Sequence, residues 1–223
     1  MGGSRLFTLM AVLFVTVGVY LTALKGLGVL PEMFGPSNLN WIRVHVLTIG
    51  TITQVIFGHL PGIFARKLNV PGRNLRETWL QWGLLNGGFI LIVVGILGID
   101  PWTASIGATL VFAAVWRLLA GLLRMWTESG RQLRTSARFF LTAPLYLLTG
   151  ITMAVSMQFN WWSPGGRVGT LEAHVHANVG GFSPWSWPEC SLTSSLPWSR
   201  RLWPSRDGSV GPTGCSTLAH WAW

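Results

Sequence analysis

One feature of the sequence leaves few folds open. Blocks of apolar residues, nearly free of charge, recur along the chain and are separated by short polar segments. An α-helix rises 1.5 Å per residue, so about twenty such residues cross the roughly 30 Å hydrocarbon layer of a bilayer. Five blocks reach this length: Leu6–Leu24, Trp41–Phe64, Trp79–Ile99, Trp102–Trp126 and Phe139–Phe159. A sixth helix is expected to begin near Leu171 and to stop after about a dozen residues, too few to cross. Trp41, Trp79, Trp102 and Trp126 stand at block ends, where aromatic rings anchor at the membrane–water interface. The first block is too long for a signal-peptide core and lacks a small-residue cleavage site. The expectation is an all-α, integral membrane helical bundle with five complete transmembrane helices plus an interrupted sixth.

Composition agrees with this reading. Half of the residues are hydrophobic and 10% are charged, where soluble domains carry about a quarter charged residues. The formal charge of +9 does not point to nucleic acid, because the basic residues sit between the apolar blocks. Arg66, Lys67, Arg73 and Arg76 lie between blocks two and three, and Arg124, Arg131, Arg134 and Arg138 between blocks four and five. The opposite loops hold little beyond Lys25, Arg43 and Arg167. By the positive-inside rule the N-terminus and both basic loops are cytoplasmic in a multi-pass protein of the cell membrane. Arg117, deep in block four, most simply snorkels to the cytoplasmic face. Gly83 and Gly87 form a G-x-x-x-G pair, which predicts close helix packing there. Pro61 and Pro144 predict kinks in the second and fifth helices. Cys190 and Cys215 show neither zinc spacing nor a disulfide framework.

Ionisable groups at bilayer depth are costly and are functional-site candidates by default. The informative ones are His45 and His59 in the second helix and His174 and His176 in the sixth. Both helices enter from the outer face under the orientation above. His45 follows Trp41 by one turn, and His174 follows the expected start of the sixth helix by about as much, so both imidazoles are expected roughly 5–6 Å below the interface. Two histidines at matching depth on different helices suit the two sides of one haem iron. Residues two apart on an α-helix point about 200° away from each other, so His174 and His176 cannot serve the same iron. Either one is the partner of His45. His45 and His59, fourteen positions apart, lie within about 40° of one face but roughly 21 Å apart along the axis. The candidate metal ligands are thus His45, His174, His176 and His59, with an ordinary interhelical hydrogen bond the simpler role for His59. Arg43 suits either a haem propionate or a plain place at the interface. Glu172 and Asn178 flank the H-x-H as orienting partners.

The segment Glu172-Ala-His-Val-His-Ala-Asn-Val-Gly-Gly-Phe182 resembles the H-x-H-x-N-x-x-G helix of small relatives of haem–copper oxidase subunit I and of NnrS-like haem proteins. The segment His45-Val-Leu-Thr-Ile-Gly-Thr-Ile-Thr-Gln-Val-Ile-Phe-Gly-His59 resembles a companion helix of the same group. The resemblance covers these two helices only. It implies a b-type haem near the outer face, a role in electron transfer or diatomic gas binding, and other membrane subunits as partners. A haem–copper centre also needs a copper trio. The chain has five histidines, the fifth being His220, so a complete oxidase is not expected. The rival expectation is a cofactor-free membrane transport or scaffold protein whose histidines only bond neighbouring helices.

After Phe182 the composition changes to Trp, Ser, Pro and Arg, as in Pro-Trp-Ser-Trp-Pro (184–188) and Pro-Trp-Ser-Arg-Arg (197–201). The chain therefore divides into a transmembrane bundle, 1–182, and an irregular tail, 183–223, without a pattern that buries a face. Read one nucleotide out of register, codons compatible with Ser183–Cys190 permit Ala-Leu-Val-Val-Ala-Gly-Val, an ordinary membrane helix. A frameshift just after Phe182 accounts for the abrupt end of the sixth helix, and Cys190, Cys215 and His220 then carry no functional meaning. The alternative is a genuine Trp-rich tail that binds the membrane surface.

Overall fold

In the computed structural model, residues 2–28, 36–98, 100–131, 134–163 and 165–182 are described. They form six helices and, among the described residues, no strand. The tail beginning at Ser183 lies outside them. Helix α1 is Gly2–Gly26, α2 runs continuously over 36–68, α3 is Leu75–Ile96, α4 is Pro101–Glu128, α5 is Arg134–Phe159 and α6 covers 166–182. The first five are long and apolar enough to cross a membrane, so the chain is a helical membrane bundle.

Local chemistry sets the helix ends. The Asn74 side chain accepts from the Glu77 backbone N–H at 2.8 Å, and Glu77 lies in the first turn of α3. This cap satisfies a free donor and is worth about 1 kcal/mol. Asp100 does the same for α4, accepting from Thr103 N–H at 3.1 Å, with Pro101 as the first helical residue. Asn69, at φ 53°, ends α2 in a left-handed turn in which Val70 N–H donates to the Ala65 carbonyl at 3.0 Å. Helix α6 starts at Gly166 and not near Leu171. Gly165 (φ 72°) and Gly166 (φ 75°) make the turn that launches it. Of the residues between this turn and Leu171, only Val168 is strongly apolar beside Arg167, Gly169 and Thr170, so hydropathy alone hid them.

Two stretches depart from α-helical winding. Residues Val46–Thr53 of α2 and His176–Phe182 of α6 are π-helical. The Thr51 hydroxyl accordingly donates to the carbonyl five residues back, at Val46. Such wide turns are rare and recur at functional sites. Here one follows His45 directly and the other begins at His176.

Helix α1 packs on α2 and α3, α4 on α2, α3 and α5, and α5 on α6. Phe57, Phe64, Leu85, Leu118, Leu122 and Phe140 fill the centre and are fully buried. The closest helix approach is between α3 and α4, but it does not run through Gly83 and Gly87, which have no neighbour where a side chain would sit. It runs through Gly88 and Gly95 on α3. A methyl on Gly88 would meet the Gly107 carbonyl at 2.7 Å, and one on Gly95 would overlap the Ala104 backbone. Both prolines lie inside continuous helices. Inside the bundle Gln54 donates to Asn86 at 2.8 Å, and Gln81 to the Ala114 carbonyl at 2.5 Å. Leu9, Leu13, Ile90, Ile106 and Trp116 remain exposed, an apolar surface that lipid accommodates without cost.

Candidate functional site

His45 lies nine residues into α2 and His174 eight residues into α6. Both are therefore about 12–14 Å along their helices, deeper than a start near Leu171 implies for His174, but still at matching depth. The structure brings these two rings together. Their centroids are 6.3 Å apart and their planes are inclined by 26°. The helices that carry them are not among the closely packed pairs of the bundle.

The two rings share one tautomer. His45 Nδ1 is 2.8 Å from the Trp41 carbonyl oxygen, and His174 Nδ1 is 2.7 Å from that of Gly150. A carbonyl only accepts, so each Nδ1 carries the hydrogen and each Nε2 keeps its lone pair. That is the ligand form of imidazole, with the second nitrogen anchored to fix the ring. The separation is informative as well. A metal–imidazole bond is about 2.0–2.1 Å, and the ring centre lies about 1.2 Å behind the nitrogen. Two imidazoles on opposite sides of one ion therefore have centroids about 6.4 Å apart, and 6.3 Å is found. The two rings are stacked near-parallel at a spacing of that size.

Neighbours hold the rings in place. Trp41, one turn earlier, stacks on His45 with centroids 3.8 Å apart and planes at 15°. On α5, Gly150 has no side chain, which opens its carbonyl to His174 and leaves room for Asn178; a methyl group there would overlap the Asn178 amide. Asn178 Nδ2 donates to the His174 carbonyl at 2.8 Å. It also lies 3.2 and 3.4 Å from the two ring nitrogens. Such similar distances place it over the ring and not along the Nε2 lone pair.

The other candidate residues stand apart from this pair. His176 is exposed, with Nδ1 bonded to the Glu172 carbonyl at 2.8 Å. It borders an open groove of about 490 Å³ with Tyr146, Thr149 and Met153 of α5. His59 is exposed, and its Nε2 lies 3.2 Å from the Thr8 hydroxyl of α1. The 40° relation between His45 and His59 assumes α-helical winding throughout, and the wide turns at 46–53 remove that premise. Arg43 donates to the Thr22 hydroxyl at 3.2 Å and to Asn40 at 3.3 Å, so it is turned toward α1 and its own helix. Glu172 contributes its backbone carbonyl to His176 while its side chain is exposed. Among the described residues no three His, Cys, Asp or Glu side chains gather as a metal site. Two contributors stand outside the candidate residues read from the sequence. Trp41 was legible from its spacing of four before His45, whereas nothing marks Gly150 among the glycines of the chain. Comparison with known protein families, characterised proteins and solved structures finds no match to this chain.

Proposed function

We propose that this chain is a haem-binding membrane protein akin to small relatives of haem–copper oxidase subunit I, in which His45 and His174 would hold the haem. One observation carries the reading: two imidazoles at one depth, each anchored through Nδ1, with centroids 6.3 Å apart. Haem bound this way supplies one-electron redox chemistry. With both His45 and His174 engaged in holding it, the haem would favour electron transfer over gas binding. Trp41 and the Gly150 carbonyl orient the two imidazoles. The N-terminus and the basic loops lie on the cytoplasmic side of the cell membrane in this reading, and His45 and His174 lie toward the outer face.

The test is a reduced-minus-oxidised optical spectrum of the purified chain. Sharp b-type bands are expected, lost in His45→Ala and in His174→Ala and kept in His59→Ala. A flat spectrum from folded protein made with ample haem overturns the reading. It would leave the cofactor-free scaffold, which has its own support: the His174–Gly150 bond ties α6 to α5 without any ligand. Under that alternative each histidine substitution costs about 1 kcal/mol and nothing else.

A further inference from the structure

A second feature lies at the other end of α2 from His45. There the loop 69–74 and the first turns of α3 lie against the last turns of α4, enclosing a cavity of about 470 Å³. Arg73 enters it from the loop, Glu77 from α3, and Arg117, Arg124 and Glu128 from α4. Arg124 and Glu128 neutralise each other in an exposed pair at 2.7 Å. What remains is Arg73, Arg117 and Glu77, an excess of one positive charge, next to the positive end of α3 at Asn74.

Arg73 is the informative member. Its guanidinium lies along α4 where Gly121 leaves room; a methyl there would be 3.6 Å from both Nε and Nη2. Its Nη2 is buried and has no hydrogen-bond partner. Burial lowers its pKa from the ordinary guanidinium range to about 10, with Glu77 opposing and Arg117 adding to the shift. At neutral pH it is therefore a cation with an unsatisfied donor, an arrangement that is costly unless an acceptor is supplied. We infer that the cavity binds a phosphate-bearing anion between Arg73 and Arg117. A guanidinium fork matches two phosphate oxygens. The single excess charge matches a phosphodiester, and basic pockets at the ends of spanning helices lie where lipid headgroups sit. Two sources offer this chemistry, an anionic phospholipid and free inorganic phosphate.

The experiment uses the full chain, delipidated in neutral detergent and then equilibrated with mixed micelles of phosphatidylglycerol and phosphatidylcholine. Lipid retained per chain is counted by native mass spectrometry. Selective retention of phosphatidylglycerol is expected, weakened about tenfold or more in Arg73→Gln and Arg117→Gln, as for one charge-assisted hydrogen bond. Arg138→Gln removes the same charge outside the cavity and should retain lipid like the unmodified chain. Displacement by excess inorganic phosphate, with phosphate alone raising the melting temperature, assigns the site to free phosphate. Equal loss in all three variants would reduce the effect to a diffuse basic surface and overturn the site. So would the absence of any effect of either anion on the unmodified chain. Arg117 is exposed, so its variant carries the test even if Arg73→Gln fails to fold.

Discussion

Adding one methyl group at Gly150 tests the ligand geometry without touching a ligand. In Gly150→Ala the amide carbon of Asn178 would lie 2.6 Å from the new methyl, against the 3.4 Å at which ordinary contact begins. Two responses are open. Asn178 can swing away, giving up its bond to the His174 carbonyl, or α6 can move out by close to an ångström. The second response stretches the 2.7 Å bond from His174 Nδ1 to the Gly150 carbonyl beyond useful length. Loss of a partner that orients a metal-binding histidine typically costs about 10–100-fold in affinity, equivalent to about 1.4–2.7 kcal/mol. The first response alone costs about 1 kcal/mol, the worth of one hydrogen bond. The assay is titration of the haem-free chain with haemin, followed by absorbance, with thermal unfolding in parallel. Gly83→Ala, with open space at that position, is the control and should bind normally. If Gly150→Ala holds haem within about twofold of the unmodified chain, while His174→Ala binds none, the carbonyl does not orient the ring and the orientation argument fails.

Four further outcomes are expected. His59→Ala removes one exposed contact with Thr8, so it should lower unfolding free energy by about 0.6 kcal/mol or less in detergent and leave any haem spectrum unchanged. Gly95→Val should destabilise the α3–α4 pair by about 1–3 kcal/mol or more, because the neighbouring atoms belong to the Ala104 backbone and cannot turn aside. Gly87→Ala, by contrast, should be neutral or stabilising by up to about 1 kcal/mol in the same unfolding titration. Resequencing of the gene should reveal a single-nucleotide shift just after Phe182; an intact frame confirmed on both strands removes that explanation of the tail.

The membrane class and the five spans are legible in the sequence alone. Apolar block length is a one-dimensional quantity, and the bilayer imposes it directly. Helix α3 begins at Leu75, ahead of the apolar block at Trp79, because the Asn74 cap and the polar first turn are not counted by hydropathy. The sequence named the histidines, and regular helical spacing predicts opposite faces for His174 and His176. Which of the two turns toward His45 was decided only in three dimensions. In a bundle surrounded by lipid, a helix face toward a neighbour and one toward the bilayer are equally apolar, so hydropathy says little about rotation. For the same reason the pattern singled out Gly83 and Gly87, while the contact falls on Gly88 and Gly95. The wide turns after His45 and from His176 escaped because sequence angles assume regular winding. Gly150 shows the limit most directly. Its contribution is a backbone carbonyl, which every residue possesses, and only the packing of α6 on α5 brings it to His174.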